Sequence, residues 1–294
     1  MSRPAPGVSA LVVGGPAEAA SPLKVTRLEP SRGWVSLGLA EVWEYRELLW
    51  FLAVRDVKVR YKQTALGAVW AVLQPLATAV LFAIVFGRLA HLPSDGLDYG
   101  IFALAGLILW NFFSSAVAAG SISLISNTNL VSKVYFPRLC VPIAALAVYL
   151  VDLLVSTVVL LVAMALYGVG GGWRMPLAVL FALMAFAAAL GLSLWLSAVA
   201  ARYRDVRFVV PFMLQFGLFA TPVAYSLNLV DERWRLVFAL NPMTGAVEGW
   251  RWALLGTDNA IGGVVLVSAL TTLVLLVSGA FYFRRMERVL ADVI

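Results

Sequence analysis

Long uncharged apolar runs alternate along this chain with short connections that hold nearly all of its charge. At 1.5 Å per residue, about 20 apolar residues in a helix cross a hydrocarbon core of roughly 30 Å. Six runs reach that length: Ala65 to Gly87, Tyr99 to Gly120, Leu139 to Gly168 with Asp152 inside it, Met175 to Ala201, Phe208 to Leu227, and Ala260 to Phe283. The pattern predicts an all-α integral membrane protein with six transmembrane helices, so that both termini lie on one side. Ahead of the first run the pattern changes. Trp50, Val54, Val57 and Tyr61 fall at i, i+4, i+7 and i+11, beside a basic row of Arg55, Lys58 and Lys62 with Arg60 close by. That spacing predicts an N-terminal amphipathic interfacial helix over residues 34–64, apolar side in lipid and cations among the headgroups. A helix packed on a soluble domain has the same pattern, but no soluble core is present to receive it. The alternation of Val57, Val59 and Tyr61 with Lys58, Arg60 and Lys62 also fits a strand, whose open edge a bilayer would leave unpaired.

Polar residues interrupt two of the apolar runs, and a mixed segment separates the last two. Gln74 and Pro75 sit inside the first, where a proline removes a helical hydrogen bond and the freed carbonyl and the amide need a neighbour or water. That predicts a softened helix with this face toward protein or a pore; the nearby Gly67, Ala68 and Ala71 equally suit close helix packing. Asp152 in the third run is costly in a membrane and is expected to pair with a cation of the loops, to line a channel, or to stay protonated. Residues 228–256 are too amphipathic for a span and too apolar for a free loop, and Asn241-Pro242 divides them. They predict two short re-entrant helices on the outer side before the last span, with Glu248, Trp250, Arg251 and Trp252 on the second.

Composition supports the membrane reading. Mean hydropathy is +0.91 and 13% of residues are charged, against about a quarter in soluble proteins. Seventeen of the 22 Lys and Arg residues lie before the first run, in the second and fourth connections or after the last run, and five lie in the other connections. Cationic loops stay in the cytoplasm, so both termini are expected there. The net charge of +6 follows from juxtamembrane basic residues facing anionic lipid and calls for no nucleic acid. Residues 1–33, rich in Pro, Ala and Gly, read as a disordered cytoplasmic tail, and residues 65–294 as the six-span domain. Cys140 has no partner cysteine and His91 stands alone in a loop, so neither a metal site nor a bound cofactor is expected in this chain. None of the four lysines (Lys24, Lys58, Lys62, Lys133) follows a glycine, so no phosphate-binding loop exists here and no catalytic residues are assigned.

Several of these blocks carry a resemblance. RDVKVRYKQTALGAVWAVLQPL (Arg55 to Leu76) resembles the opening of the permease subunit of bacterial ABC transporters that export polysaccharides, the Wzm-like O-antigen and capsule type. NTNLVSKVYFPRLCVP (Asn127 to Pro142), ARYRDVRFVVPFMLQFGLFATPVAY (Ala201 to Tyr225), ALNPMTGAVEGWRWALLG (Ala239 to Gly256) and the ending MERVLADVI (Met286 to Ile294) are similar to later segments of that family, in the same order. The resemblance implies a homodimer that encloses a channel for a lipid-linked polysaccharide, in a bacterial plasma membrane. It also implies two copies of a separate ATP-binding subunit, which would hold ATP and magnesium. A coupling helix over Leu130 to Tyr135 would dock on that subunit, with Leu130, Val131, Tyr135 and Phe136 as apolar anchors and Asn127, Lys133 and Arg138 around them. Trp70, Gln74, Pro75, Trp110, Asp152, Asn241, Pro242, Glu248, Trp250 and Arg251 are the expected channel or gate residues, the outer aromatics serving as interfacial anchors or as stacking platforms for sugar rings. An exporter of a teichoic-acid-like polymer, a lipid or a drug is the nearest alternative; a proton-coupled secondary transporter is one of another class.

Overall fold

The computed structural model describes residues 39–62, 67–170, 172–203, 205–257 and 262–290; the expected N-terminal tail lies outside them. Among the described residues the chain is helical, with no strand. In order it forms α1 (Leu39–Glu44), α2 (Arg46–Lys62), α3 (Gly67–Phe82) running into a π-helical segment (Ala83–Leu89), α4 (Tyr99–Ser126), α5 (Thr128–Lys133) and α6 (Cys140–Tyr167). A 3-10 turn (Gly172–Leu177) leads into α7 (Ala178–Ala200), followed by α8 (Val206–Ala220), α9 (Glu232–Ala239), α10 (Pro242–Leu255) and α11 (Gly262–Leu290).

Among the described residues, five segments are long and apolar enough to cross a membrane: Val72–Leu89, Tyr99–Ser126, Cys140–Tyr167, Gly172–Ala200 and Gly262–Glu287. The expected fifth span differs. Its helix stops at Ala220, after 15 residues, about 22 Å at the helical rise. The reason lies in Thr221-Pro222: a residue before proline is pushed out of the helical region, and Thr221 is extended at φ −101° and ψ 139°. The expected softening of α3 is also displaced. The helix runs straight through Gln74 and Pro75, and the irregular winding comes eight residues after the proline, in the π segment.

At the centre stands α4. In its most apolar stretch 78% of residues are buried, against 17% in the first span, and Ile101 to Leu109 form an unbroken interior run. Lipid offers no hydrophobic drive for helices to associate, so close packing decides which faces meet. Gly191 of α7 lies against the backbone of Leu275 and Leu276 in α11, where a β-carbon would come within 2.7 Å of the Leu276 nitrogen. Gly245 and Gly249, four apart in α10, lie against Ser268 of α11 and the Phe181 ring of α7. Glycine lets these backbones approach, and larger side chains turn outward: Leu154, Val158, Val162 and Leu166 form an exposed row along α6.

Glu41 of α1 accepts a hydrogen bond from Arg284 near the end of α11 at 2.8 Å, so the first and last described helices meet on one face of the bundle. Arg284 also pairs with Glu287 at 2.9 Å, and Arg138 donates to the Glu287 carbonyl at 2.9 Å. The opposite face holds the α3–α4 loop, the Thr221 to Asp231 segment and the α9–α10 module. There Asp95 accepts from Ser226 at 2.7 Å and Asn228 at 3.0 Å.

Candidate functional site

Three groups of residues tie α2, α5 and α10 to the bundle. The first is a polar node where α2 meets α6. Asp152 on α6 pairs with Arg60 of α2 at 2.8 Å and accepts a second hydrogen bond from the Tyr61 hydroxyl. Arg60 also lies over the Tyr149 ring, 4.8 Å from its centroid. Burial, followed by the Asp152 contact, pushes the Tyr61 hydroxyl up to about 12, so it remains a donor at neutral pH. Beside the pair lies a cavity of about 50 Å3 bounded by Gln74, Pro75, Asn111, Ser115 and Ser156 among others, polar and roomy enough for water. Asp152 is thus paired with a cation, one that stands on α2 rather than in a loop between spans. Pro75 is buried; Gln74 borders the cavity yet stays exposed.

The face of α2 that packs on the spans differs from the expected stripe. Leu52 and Ala53 are buried against Ala144, with Leu48, Leu130 and Ala147 around them. Trp50 is 71% exposed, together with Trp43 and Phe51. The helix is apolar on two sides because one meets α6 and the other carries aromatics, the residues favoured at a membrane interface. Lys58 and Lys62 are exposed and Val54 and Val57 half-buried.

The second group is α5, which begins two residues earlier than expected and ends at Lys133. Arg55 of α2 donates to the Asn127 side chain at 3.0 Å, locking α2 to the α4–α5 corner. Val131 and Phe136 point inward and are buried with Leu124, Leu139, Cys140 and Phe283, a correction to their expected role as anchors for a partner. Leu130 is half-buried under α2, and Arg138 is turned toward Glu287. Lys133, Val134 and Tyr135 are exposed, Tyr135 at 70%.

The third group fastens α10. Asn241 caps this helix by accepting from the Met243 N–H at 3.0 Å, with Pro242 as its first residue, and donates to the Thr221 hydroxyl at 2.8 Å. Arg251 is fully buried. It donates to the carbonyls of Phe102 at 3.2 Å, Pro222 at 2.6 Å and Val223 at 2.5 Å, lies 3.6 Å from the Phe102 ring centroid and pairs with buried Glu248 at 3.6 Å. Two of these carbonyls, Pro222 and Val223, lie just beyond the end of α8, and Arg251 satisfies them. Trp250 is buried rather than interfacial, because the GAVEG run lets α10 sink among α4, α7 and α11; Trp252 is half-buried with Arg174 4.9 Å from its ring centroid. Glu248, Trp250 and Arg251 are therefore interior residues of the chain. So is Trp110, which packs where Gly217 of α8 offers no side chain. Trp70 is exposed.

A sequence model described as ABC-2 type transporter matches residues 47–255. The chain belongs to this family. Among curated proteins it is similar to the O-antigen export system permease protein RfbA of Myxococcus xanthus, 31% identical over 217 residues, 72% of this chain and 81% of that protein. It is 25% identical to a protein of the same name from Klebsiella pneumoniae, over 84% of this chain and 95% of that protein. A third relative is the polysialic acid transport protein KpsM of Escherichia coli, 24% identical over 80% of this chain and 92% of that protein. In this ABC-2 type transporter the matched stretch runs from the start of α2 to the end of α10, so it holds the polar node, α5 and the Arg251 anchor together.

Sequence reasoning singled out Asp152 and Arg60 separately but not as a pair, since 92 residues divide them. It passed over Tyr149, the Glu41–Arg284–Glu287–Arg138 network and the close approach of Gly245 and Gly249. The GAVEG spacing of small residues was the available signal for the last.

Proposed function

We propose that this chain is the channel-forming permease subunit of an ATP-driven exporter that moves a lipid-linked polysaccharide, of O-antigen or capsule type, across the bacterial plasma membrane. Two copies of the chain enclose the path, two copies of an ATP-binding subunit supply the energy with ATP and magnesium, and both termini are cytoplasmic. The observation that carries this reading is the similarity, over 80% or more of the chain, to permease and transport proteins named for O-antigen export and polysialic acid. The geometry supports it in two ways. Gln74 is a polar amide exposed on α3 at membrane depth, where lipid cannot satisfy it, beside exposed Trp70; this suits a face turned to a second copy or a hydrated path. Asp152 is already held by Arg60 and Tyr61, which favours a structural role over proton coupling.

In this mechanism the ATP-binding subunits close and press on the exposed Lys133 to Tyr135 surface. The push passes through Asn127 to Arg55, along α2 to Arg60 and Tyr61, and into α6 and the neighbouring α3 at the polar node. The α9–α10 module, anchored at Arg251, follows α4 and α8 at the outer face.

Co-purification of the tagged chain with co-expressed ABC ATP-binding subunits from the same organism, followed by ATP turnover in lipid, tests the reading. Tyr135→Asp is expected to lower association at least about tenfold, the loss of one well-packed aromatic anchor, while the thermal unfolding of the chain itself stays unchanged. Failure of the unaltered chain to associate with any ATPase would overturn the proposal.

A further inference from the structure

A cleft of about 690 Å3 opens beside the second half of the first span, away from the polar node. Leu76, Val80 and Ile84 line it along α3 and the π segment, Ile101 and Leu104 along α4, and Ala163 on α6. Its polar groups gather at one end: Arg88 closing the π segment, and Ser94 and Asp98 in the following loop. From Leu76 to Arg88 is twelve residues, about 18 Å at the helical rise, close to the depth of one leaflet of a core of roughly 30 Å. Volumes of about 300–1,000 Å3 with apolar walls and few polar groups are those of small-molecule sites. Apolar walls of this kind hold water poorly.

The polar end carries both signs. Arg88 is exposed and makes no ion pair with a described residue; its guanidinium suits a phosphate through paired N–H donors. Asp98 caps α4, one carboxylate oxygen accepting from the Gly100 N–H at 2.8 Å, which leaves the other oxygen for an ammonium group. The π winding, with Ala90 N–H bonded to the Val85 carbonyl at 3.0 Å, belongs to a class of distortion that is rare and concentrated at functional sites.

We propose that this cleft is a binding site for a zwitterionic phospholipid of the ethanolamine type. One acyl chain lies along Leu76 to Ile84 against α4 and α6, with the phosphate at Arg88 and the ammonium at Asp98. The lipid braces a span of which 17% of residues are buried within the chain.

The test uses the full chain in nanodiscs doped with a phospholipid bearing a photoreactive group on its acyl chain, in ethanolamine and glycerol headgroup forms, with adducts mapped by peptide mass spectrometry. Adducts are expected on the Leu76 to Ile84 and Ile101 to Leu104 stretches, with the ethanolamine form favoured. Arg88→Gln, an exposed substitution that leaves the fold intact, lowers their yield about tenfold, the worth of one charge-assisted hydrogen bond. Asp98→Asn, which keeps the helix cap, abolishes the preference for the ethanolamine headgroup. Ala163→Trp and, independently, Ala83→Phe fill the cleft and remove these adducts while those on the lipid-facing Val158 and Leu166 persist. Equal labelling by both headgroups, adducts spread evenly over all lipid-facing helices, or crosslinks from the cleft to a second copy of the chain would each overturn the proposal.

Discussion

Asp152 and Arg251 are both ionisable residues on helices of the bundle, and each is held differently. Asp152 has a partner of opposite charge and a phenol, in a setting where Arg60 keeps 41% of its side chain exposed. Such a half-exposed pair lies between surface pairs, worth about 0–1 kcal/mol, and buried ones, whose breaking costs about 3–5 kcal/mol. A double-mutant cycle of Asp152→Asn and Arg60→Gln is expected to give a coupling energy on the order of 1–2 kcal/mol in detergent unfolding; additive effects would mean that the pair is broken in solution. Because the Tyr61 hydroxyl titrates at about 12 when folded and at 10 otherwise, its contribution is fully present below the lower value and is lost as pH rises between the two. The stability difference between the wild type and Tyr61→Phe should thus be constant from about pH 6 to about pH 9 and shrink above it. Arg251 instead serves three carbonyls with one planar fork. Lysine keeps the charge but not the fork, so Arg251→Lys and Arg251→Met should both lower stability, by about 2–4 kcal/mol in thermal or denaturant unfolding.

Among the elements, α10 shows how a helix too short to span becomes interior. Two glycines four residues apart bring its backbone against Ser268 and Phe181, and Ser268 donates to the Ala239 carbonyl at 2.8 Å while accepting from the Gly245 N–H at 3.0 Å. Any β-carbon added at Gly245 would sit 2.6 Å from the Ser268 β-carbon, and Gly245→Val adds two methyl groups beyond it. Overpacking of this kind costs about 1–3 kcal/mol, and a lower unfolding midpoint for Gly245→Val, but not for a valine at exposed Leu236 on α9, checks it. The α5 element carries the opposite lesson. Its six residues split into an inward Val131 and an outward Lys133, with Tyr135 exposed just beyond and Phe136 turned back inside, so helical spacing alone could not rank its apolar residues as anchors.

At the scale of the whole molecule, the meeting of Glu41 with Arg284 requires an even number of crossings between α2 and the end of α11. With five long spans among the described residues, α8, a shorter apolar helix of 15 residues, is assigned the sixth. The Thr221 to Ser226 segment that follows is a run of turns and bends, secured by the hydrogen bond from the Tyr99 hydroxyl to the Ala224 carbonyl. Cys140 is the one cysteine and is buried, which makes topology testable. In a Cys140→Ala background, Trp173→Cys should react with an impermeant maleimide in intact cells and Tyr135→Cys only after permeabilisation. Labelling of Tyr135→Cys in intact cells would reverse the orientation.

The sequence by itself determined the solvent, the number of crossings and the order of the elements, because those depend on apolar length and on charge in the connections. Caps and stops were equally local: Asn241-Pro242 starts α10 wherever the helix is placed, and Thr221-Pro222 ends α8. Which side of each helix faces inward was decided by tertiary structure. Lipid and a protein interior are both apolar, so hydrophobicity marks a span without marking its inner face, and Trp50 and Trp110 look alike until packing exposes one and buries the other. Pairs distant in the chain were decided there too: Arg60 with Asp152, Arg284 with Glu41, and Arg251 with the Phe102, Pro222 and Val223 carbonyls meet only because small residues let the helices close around them.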